Sequence, residues 1–247
     1  MSQNLSGKIA MVTGASRGLG AAIAKRLAAD GAAVAFTYGA SPDRAREVVR
    51  AIETAGGKAL AIQADAAKED STRAAVKQTI EAFGGLDILV NSAGVLTVAP
   101  IEKFPFDAFE RMVAVNIKGM FVATQEAVRH MRDGGRIINI GSCNSSRVPF
   151  QGGTVYALTK AAVVGFTRAL ARDLGPRGIT VNNVQPGPTD TDMNPAQGPA
   201  APSTVQHVAL GRFAQPLEIA NFVAFLAGPE ASFITGASLL VDGGYAA

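Results

Sequence analysis

The chain has 247 residues, 48% hydrophobic and 17% charged, with 27 glycines, no tryptophan and a formal net charge of +3. That composition excludes a disordered chain, and the length suits one large α/β domain with a sizeable core. Basic residues are spread out rather than clustered, the single Cys143 excludes an intramolecular disulfide, and no run of 18 apolar residues exists, so neither a nucleic-acid surface nor a membrane span is expected.

Two histidines far apart, His130 and His207, offer no metal-ligand spacing, which argues against zinc chemistry. Met1 to Leu5 lacks a basic stretch followed by an apolar one; no secretory leader is predicted, and a reducing, cytoplasmic setting is expected.

In chain order, the first predicted strand, 9–12, runs into Thr13-Gly14-Ala15-Ser16-Arg17-Gly18-Leu19-Gly20 and then an alanine-rich helix near 18–30. A glycine-rich turn between strand and helix brings backbone N–H groups close to a pyrophosphate. The spacing is Gly-x-x-x-Gly-x-Gly rather than the usual dinucleotide fingerprint, and tight helix-on-strand packing is the alternative reading. The second strand, 33–37, ends in Tyr38-Gly39-Ala40-Ser41 with no acid to bind a free ribose 2′-hydroxyl. Arg17 can pair with a 2′-phosphate instead, with Ser41 and Arg44 adding hydrogen bonds, which favours NADP(H) over NAD(H).

Further strands are predicted at 59–63, 88–90, 136–140, 180–184 and 238–241, alternating with helices near 42–55, 69–83, 106–132, 154–174 and 216–227. Strands followed by helices of this length make βαβ units, and right-handed crossovers then give a single doubly wound domain over 1–247. Its seven-stranded parallel sheet carries helices on both faces. The stretch from Gly187 to Gly211, rich in proline and glycine, is read as a lid over a site near 187–212, with a surface insertion as the alternative.

Ser142 ends Gly-Arg-Ile-Ile-Asn-Ile-Gly-Ser, and 14 residues later comes Tyr156-Ala157-Leu158-Thr159-Lys160. Positions i and i+4 share a helix face, so a phenol and an ammonium project into one space. A nearby cation lowers a phenol pKa, and a serine hydroxyl can hold the same substrate oxygen. In isolation such a pair is more often a surface lysine beside a half-buried tyrosine; the surroundings decide. The helix around Tyr156 is apolar on more than one face, which predicts an oligomer, with burial inside the monomer as the alternative.

Together these features resemble the short-chain dehydrogenase/reductase family from Gly7 to about Tyr245. The resemblance runs through Thr13-Gly14-x-x-x-Gly18-x-Gly20, Asp65, Asn91-Ser92-Ala93-Gly94, Asn116, Ser142, Tyr156, Lys160, Pro186-Gly187 and Val241-Asp242-Gly243-Gly244. It implies a Rossmann-type fold, a tetramer, and roles by position. Tyr156 is the implied acid/base, and Lys160 lowers its pKa and binds the nicotinamide ribose. Ser142 polarises a carbonyl, and the Asn116 backbone holds a water leading to Lys160. Gly14, Ser16, Arg17, Gly18, Leu19, Gly20, Tyr38 and Ser41 would hold the cofactor's phosphates and ribose. Asp65 would meet the adenine, with Ala66 beside it. Asn91, Ala93 and Gly94 would line the dinucleotide, and Pro186, Gly187, Thr189 and Thr191 the nicotinamide amide.

The family's usual Asn-Asn-Ala-Gly is Asn-Ser-Ala-Gly here, and the interval from Ser142 to Tyr156 is one residue longer than in many members. Leu96, Asn144, Val148, Phe150, Gln151 and Met193 are the expected substrate pocket; Arg147 could meet a substrate carboxylate, although a lone arginine in a loop is more often simply solvated. Cys143 is read as packing rather than a nucleophile. The expected function is interconversion of a ketone and a secondary alcohol with NADP(H). The runner-up is reduction of 3-oxoacyl-[acyl-carrier-protein], weakened by Asp133 where such reductases often carry a basic residue three positions before Arg136. A non-catalytic NADP(H)-binding sensor is the remote alternative.

Overall fold

The computed structural model describes residues 4–247; residues 1–3, part of the stretch read for a leader, lie outside it. Among the described residues seven strands form one sheet: β1 (Ile9–Val12), β2 (Ala33–Tyr38), β3 (Lys58–Gln63), β4 (Leu86–Asn91), β5 (Met131–Ile140), β6 (Thr180–Pro186) and β7 (Ser238–Val241). Their order is β3-β2-β1-β4-β5-β6-β7, with neighbours parallel throughout. The expected doubly wound α/β fold is therefore the one observed.

The helices are α1 (Gly18–Ala29), α2 (Pro42–Thr54), α3 (Glu69–Phe83), α4 (Phe106–Val113), α5 (Met120–His130), α6 (Thr154–Leu174), α7 (Ala201–Val205) and α8 (Pro216–Ala227). In β1, Ala10 and Val12 join a core with Leu27 of α1, Val48 of α2 and Val223 of α8. Ile9 and Met11 point the other way, into a core with Val76 of α3, Ala127 of α5 and Leu174 of α6. Successive side chains leave a strand on opposite faces, so a parallel strand covered on both sides reads as a continuous apolar run. Each fully buried Leu or Ile in these layers contributes about 1.5–3 kcal/mol.

Two elements differ from the sequence expectation. The helix expected over 106–132 is split by a π-helical turn, Ala114–Gly119, and ends at His130. There, Gly119 packs directly on the Ala66 carbonyl, with no room for a side chain, and Asn116 is tied to the loop after β4. A wide turn of this kind commonly marks a functional site. The fifth strand begins at Met131, not 136, because Met131 pairs with Leu86 ahead of a register shift. Within 187–211 there is one short helix, α7. The start of the segment is anchored by the Thr189–Ala214 bridge and by Asp190 N donating to Ala214 O at 2.9 Å.

The sheet order reverses between β1 and β4, which opens a crevice at the carboxyl ends of these strands, the place where such sheets bind ligands.

Candidate active site

At that switch point the turn after β1 meets the loop after β4. Thr13 Oγ1 accepts from the N–H groups of Ser92 and Ala93, both at 3.0 Å, and Gly14 N donates to Thr37 Oγ1 at 2.9 Å. Gly14 has φ +69°, and a Cβ there would lie 2.7 Å from Ala93 Cα. A Cβ on Gly20 would lie 2.5 Å from the Gly14 carbonyl oxygen. Arg17, at the N-cap of α1, is extended, and its side chain makes no capping bond. The first-turn N–H groups of α1 are thus left without a side-chain acceptor beside a turn that lacks Cβ atoms at 14, 18 and 20, which fits a dinucleotide diphosphate.

Around the end of β2, Tyr38 and Ser41 are half-buried. Arg17 and Arg44 stand open to solvent, and both face the Asp192 carboxylate: Arg44 Nη1 donates to Oδ2, and Arg17 Nη1 lies 3.8 Å away. Asp65 accepts from Ala67 N at 3.0 Å and from Arg111 Nη1 at 3.2 Å. The backbone N–H of Ala67 and the Arg111 guanidinium hold its carboxyl below the usual range. Asn91 turns its side chain inward, donating to Thr124 Oγ1 at 2.9 Å and Asn139 Oδ1 at 2.8 Å, so the expected lining of the dinucleotide falls to its backbone. Thr191 crosses above the glycine turn, 3.5 Å from where a Cβ on Gly18 would sit. Gly187 N donates to Val241 O at 3.0 Å, which seats the Pro186-Gly187 bend beside β7.

The four expected catalytic residues come together next to this crevice. Ser142 leaves β5 in extended conformation, its Oγ accepting from Asn144 N at 3.2 Å. Ser145 Oγ donates to the Ser142 carbonyl at 2.9 Å and accepts from Gln185 Nε2 at 2.5 Å, so β6 braces the serine loop. Tyr156 lies in the first turn of α6 and Lys160 one turn on, with Nζ 5.7 Å from the centre of the tyrosine ring. Lys160 Nζ donates to Ile140 O at 2.8 Å. Asn116 makes a double bond pattern with Val95, accepting from its N–H at 2.9 Å and donating to its carbonyl at 3.0 Å. It also donates to Thr159 Oγ1 at 3.1 Å, and that hydroxyl donates to Tyr156 O at 2.8 Å. Gly94 lies over the group: a Cβ there would be 3.6 Å from Asn116 Oδ1 and 3.8 Å from Lys160 Nζ.

Burial pushes the Tyr156 phenol up to about 12, against the opposing pull of the Ser142 hydroxyl. Burial pulls the Lys160 ammonium down to about 8. The net shift of the phenol is upward, with burial its largest cause. The ammonium sits against the ring and the Ile140 carbonyl, and loss of water around each group disfavours its charged form.

In the substrate region, Val148, Phe150 and Met193 are exposed, Leu96 and Asn144 half-buried, and Gln151 exposed. A Cβ on Gly153 would lie 2.8 Å from Val148 Cγ1 and 2.9 Å from the Phe150 ring, so these two pack at the turn leading into Tyr156. Val98 joins them, 2.9 Å from where a Cβ on Gly152 would be. Sequence reasoning missed Val98, although its spacing from Leu96, i and i+2, places the two on one side of an extended segment. Arg147 does not wait for a substrate carboxylate; it donates to the carbonyl oxygens of Tyr245 at 2.6 Å and Ala247 at 3.1 Å. Cys143 is buried, and burial together with the Asp242 charge pushes its thiol up to about 12, far from a reactive thiolate.

The chain matches the family model described as enoyl-(acyl carrier protein) reductase over residues 14–246. It is 46% identical over 242 residues to the cyclic-di-GMP-binding biofilm dispersal mediator protein of Escherichia coli (strain K12), covering 98% of both chains. Its structure matches a short-chain dehydrogenase/reductase from Serratia marcescens BCRC 10948 with a TM-score of 0.97 at 60% identity, covering 99% of this chain and 100% of that one. A short chain dehydrogenase from Burkholderia cenocepacia J2315, solved in complex with NADP, matches with a TM-score of 0.97 at 52% identity, covering 99% and 100%.

Proposed function

Because this chain belongs to the short-chain dehydrogenase/reductase family, we propose that it is an NADP(H)-dependent oxidoreductase interconverting a ketone and a secondary alcohol. The observation that carries this reading is the meeting of Ser142, Tyr156, Lys160 and Asn116 at the edge of a crevice suited to a dinucleotide. The Burkholderia cenocepacia structure with NADP supports the choice of cofactor, as do Arg17 and the absence of an acid among residues 38–41. When bound, NADP(H) supplies or accepts the hydride. Gly14, Gly18 and Gly20 with the start of α1 would hold its diphosphate, Arg17 and Ser41 its 2′-phosphate, and Lys160 its nicotinamide ribose.

The protein's own part is proton chemistry. With its phenol at about 12, Tyr156 is protonated across the neutral range and donates to the substrate oxygen. Ser142 Oγ, next to the phenol, donates to the same oxygen and stabilises its developing charge. Lys160 and the water that the Asn116 backbone would hold then return a proton to the phenolate, downhill because Lys160 lies near 8. Val98, Val148 and Phe150 give the pocket an apolar wall suited to a neutral ketone.

A second reading, reduction of a 3-oxoacyl group on its carrier protein, is favoured by the 40% identity over 240 residues to the 3-oxoacyl-[acyl-carrier-protein] reductase of Staphylococcus aureus. Against it, Arg177 is spent inside the chain, donating to Asp133 at 2.8 Å and to the Val128 carbonyl at 2.9 Å. Phe121 and Leu158 on α5 and α6, and Phe225 and Leu240 on α8 and β7, are exposed, which supports a homo-oligomer, a tetramer by family likeness. The deciding experiment mixes purified protein with NADPH or NADH and a panel of ketones and a 3-oxoacyl carrier protein, following loss of the reduced nicotinamide. Turnover of free ketones with NADPH supports the first reading. Turnover only on the carrier protein supports the second, and binding without turnover overturns both.

A further inference from the structure

The lid carries a carboxylate to a place where the proposed cofactor needs cations. Asp192 Oδ2 accepts from Arg44 Nη1 and lies 3.8 Å from Arg17 Nη1. Arg17 belongs to the glycine turn and Arg44 to the first turn of α2, so the two guanidiniums flank the end of β2, where an acid would mark a ribose without phosphate. The side chains are about half open to water, at 60% for Arg17, 48% for Arg44 and 50% for Asp192. One residue earlier, Thr191 rests over Gly18. The chain is fixed just before that by the Asp190–Ala214 and Thr189–Ala214 contacts. Asp192 therefore reaches the arginines from an anchored base, and the contact joins residues 148 positions apart.

We propose that Asp192 is a cofactor-selectivity residue: its carboxylate stands between Arg17 and Arg44 in place of the 2′-phosphate of NADP(H), and a bound 2′-phosphate displaces it. This rests on the NADP(H) reading above. A phosphate monoester brings about −1.5 to −2 charge and three acceptor oxygens, against the single charge of a carboxylate. Arginine forks match a phosphate in bidentate fashion. Exposed carboxylate–arginine pairs are weak and screened, so the exchange runs toward the phosphate. A bare 2′-hydroxyl offers neither charge nor fork, and NAD(H) leaves Asp192 where it is. Asp192 thus tempers the preference set by the two arginines: NADP(H) must displace it before binding, whereas NAD(H) meets no such competitor.

The test measures NADPH and NADH affinities by titration calorimetry for the wild type, Asp192→Asn and Asp43→Asn. The last removes one nearby charge without touching either guanidinium of the pair. Asp192→Asn should raise the ratio of NADPH to NADH affinity about fivefold, the scale of one exposed ion pair, while Asp43→Asn leaves it within about twofold. An unmoved ratio in Asp192→Asn, or an equal shift in both variants, overturns the proposal. A second measurement uses the wild type and backbone hydrogen exchange. Adenosine 2′,5′-bisphosphate, which lacks a nicotinamide to recapture the lid, should speed exchange over 189–194, and 5′-AMP should not; equal exchange with both overturns the proposal. Failure of the cofactor reading is separate: there, wild-type protein binds NADH as tightly as NADPH.

Discussion

Lys160 donates from Nζ to the carbonyl oxygen of Ile140 at 2.8 Å, so the ammonium is fastened to the end of β5 and meets Tyr156 through the face of its ring. A buried cation held this way is costly to the fold and useful to a reaction, and the two consequences are separately measurable.

For stability, the folded value of Lys160, about 8, lies below that of an ordinary lysine. The unfolded chain therefore binds the extra proton between these two values, and stability rises as pH climbs through that window. Below about 8 the cost is fully present. Lys160→Met should stabilise the cofactor-free protein at pH about 7 by on the order of 2 kcal/mol, after allowing for the bond lost at Ile140. The gain should shrink toward pH about 10. Denaturant titrations at the two pH values check this; a gain independent of pH would rule out a buried ammonium.

For catalysis, Lys160 refills the Tyr156 phenolate only while it is itself protonated. The kcat for ketone reduction should hold near neutral pH and decline above about 8, whereas alcohol oxidation should rise over the same interval. Matching slopes in both directions would remove Lys160 from the proton path.

Replacing Tyr156 by Phe keeps the ring and deletes the proton. Turnover should fall by about 10²–10⁴-fold, with NADPH affinity changed by less than about twofold. Fluorescence titration beside initial rates separates the two quantities, and wild-type rates in the variant would end the acid/base assignment.

Asn116→Leu leaves the Val95 N–H without its acceptor, and the Val95 carbonyl and Thr159 oxygen without the Asn116 donor. The expected loss is about 2 kcal/mol of folding stability, read by urea denaturation. Turnover should drop too, because Thr159 bonds the Tyr156 carbonyl. An unchanged midpoint would show that the π turn stands without this clamp.

Gly14→Ala puts a side chain at φ +69° and 2.7 Å from Ala93 Cα. Backbone strain of about 1 kcal/mol, plus the shift the contact forces, should weaken dinucleotide binding by about tenfold or more. Retention of wild-type affinity with unchanged circular dichroism would show that the crevice tolerates movement there.

The architecture was legible because its signals are local. The apolar runs Ile9–Val12 in β1 and Ile88–Val90 in β4 mark strands covered on both faces, and Gly14 and Gly20 mark a turn with no room for side chains. Ser142, Tyr156 and Lys160 were legible for the same reason: spacing along one helix and one strand end places them before any packing is known. The π turn at Asn116 was half legible, since asparagine is a poor helix former, but its cause is a contact with Val95 across 21 residues.

From the chain alone, then, came which groups stand near one another along a helix or at a strand's end, and hence the chemistry available to the site. Folding in three dimensions decided how those groups ionise and whom they serve. It buried Lys160 and half-buried Tyr156, driving their pKa values apart, spent Arg147 on the chain's own tail, and carried Asp192 to Arg44. Each of these is an effect of desolvation or of charges meeting over long separations, which periodicity and spacing do not encode.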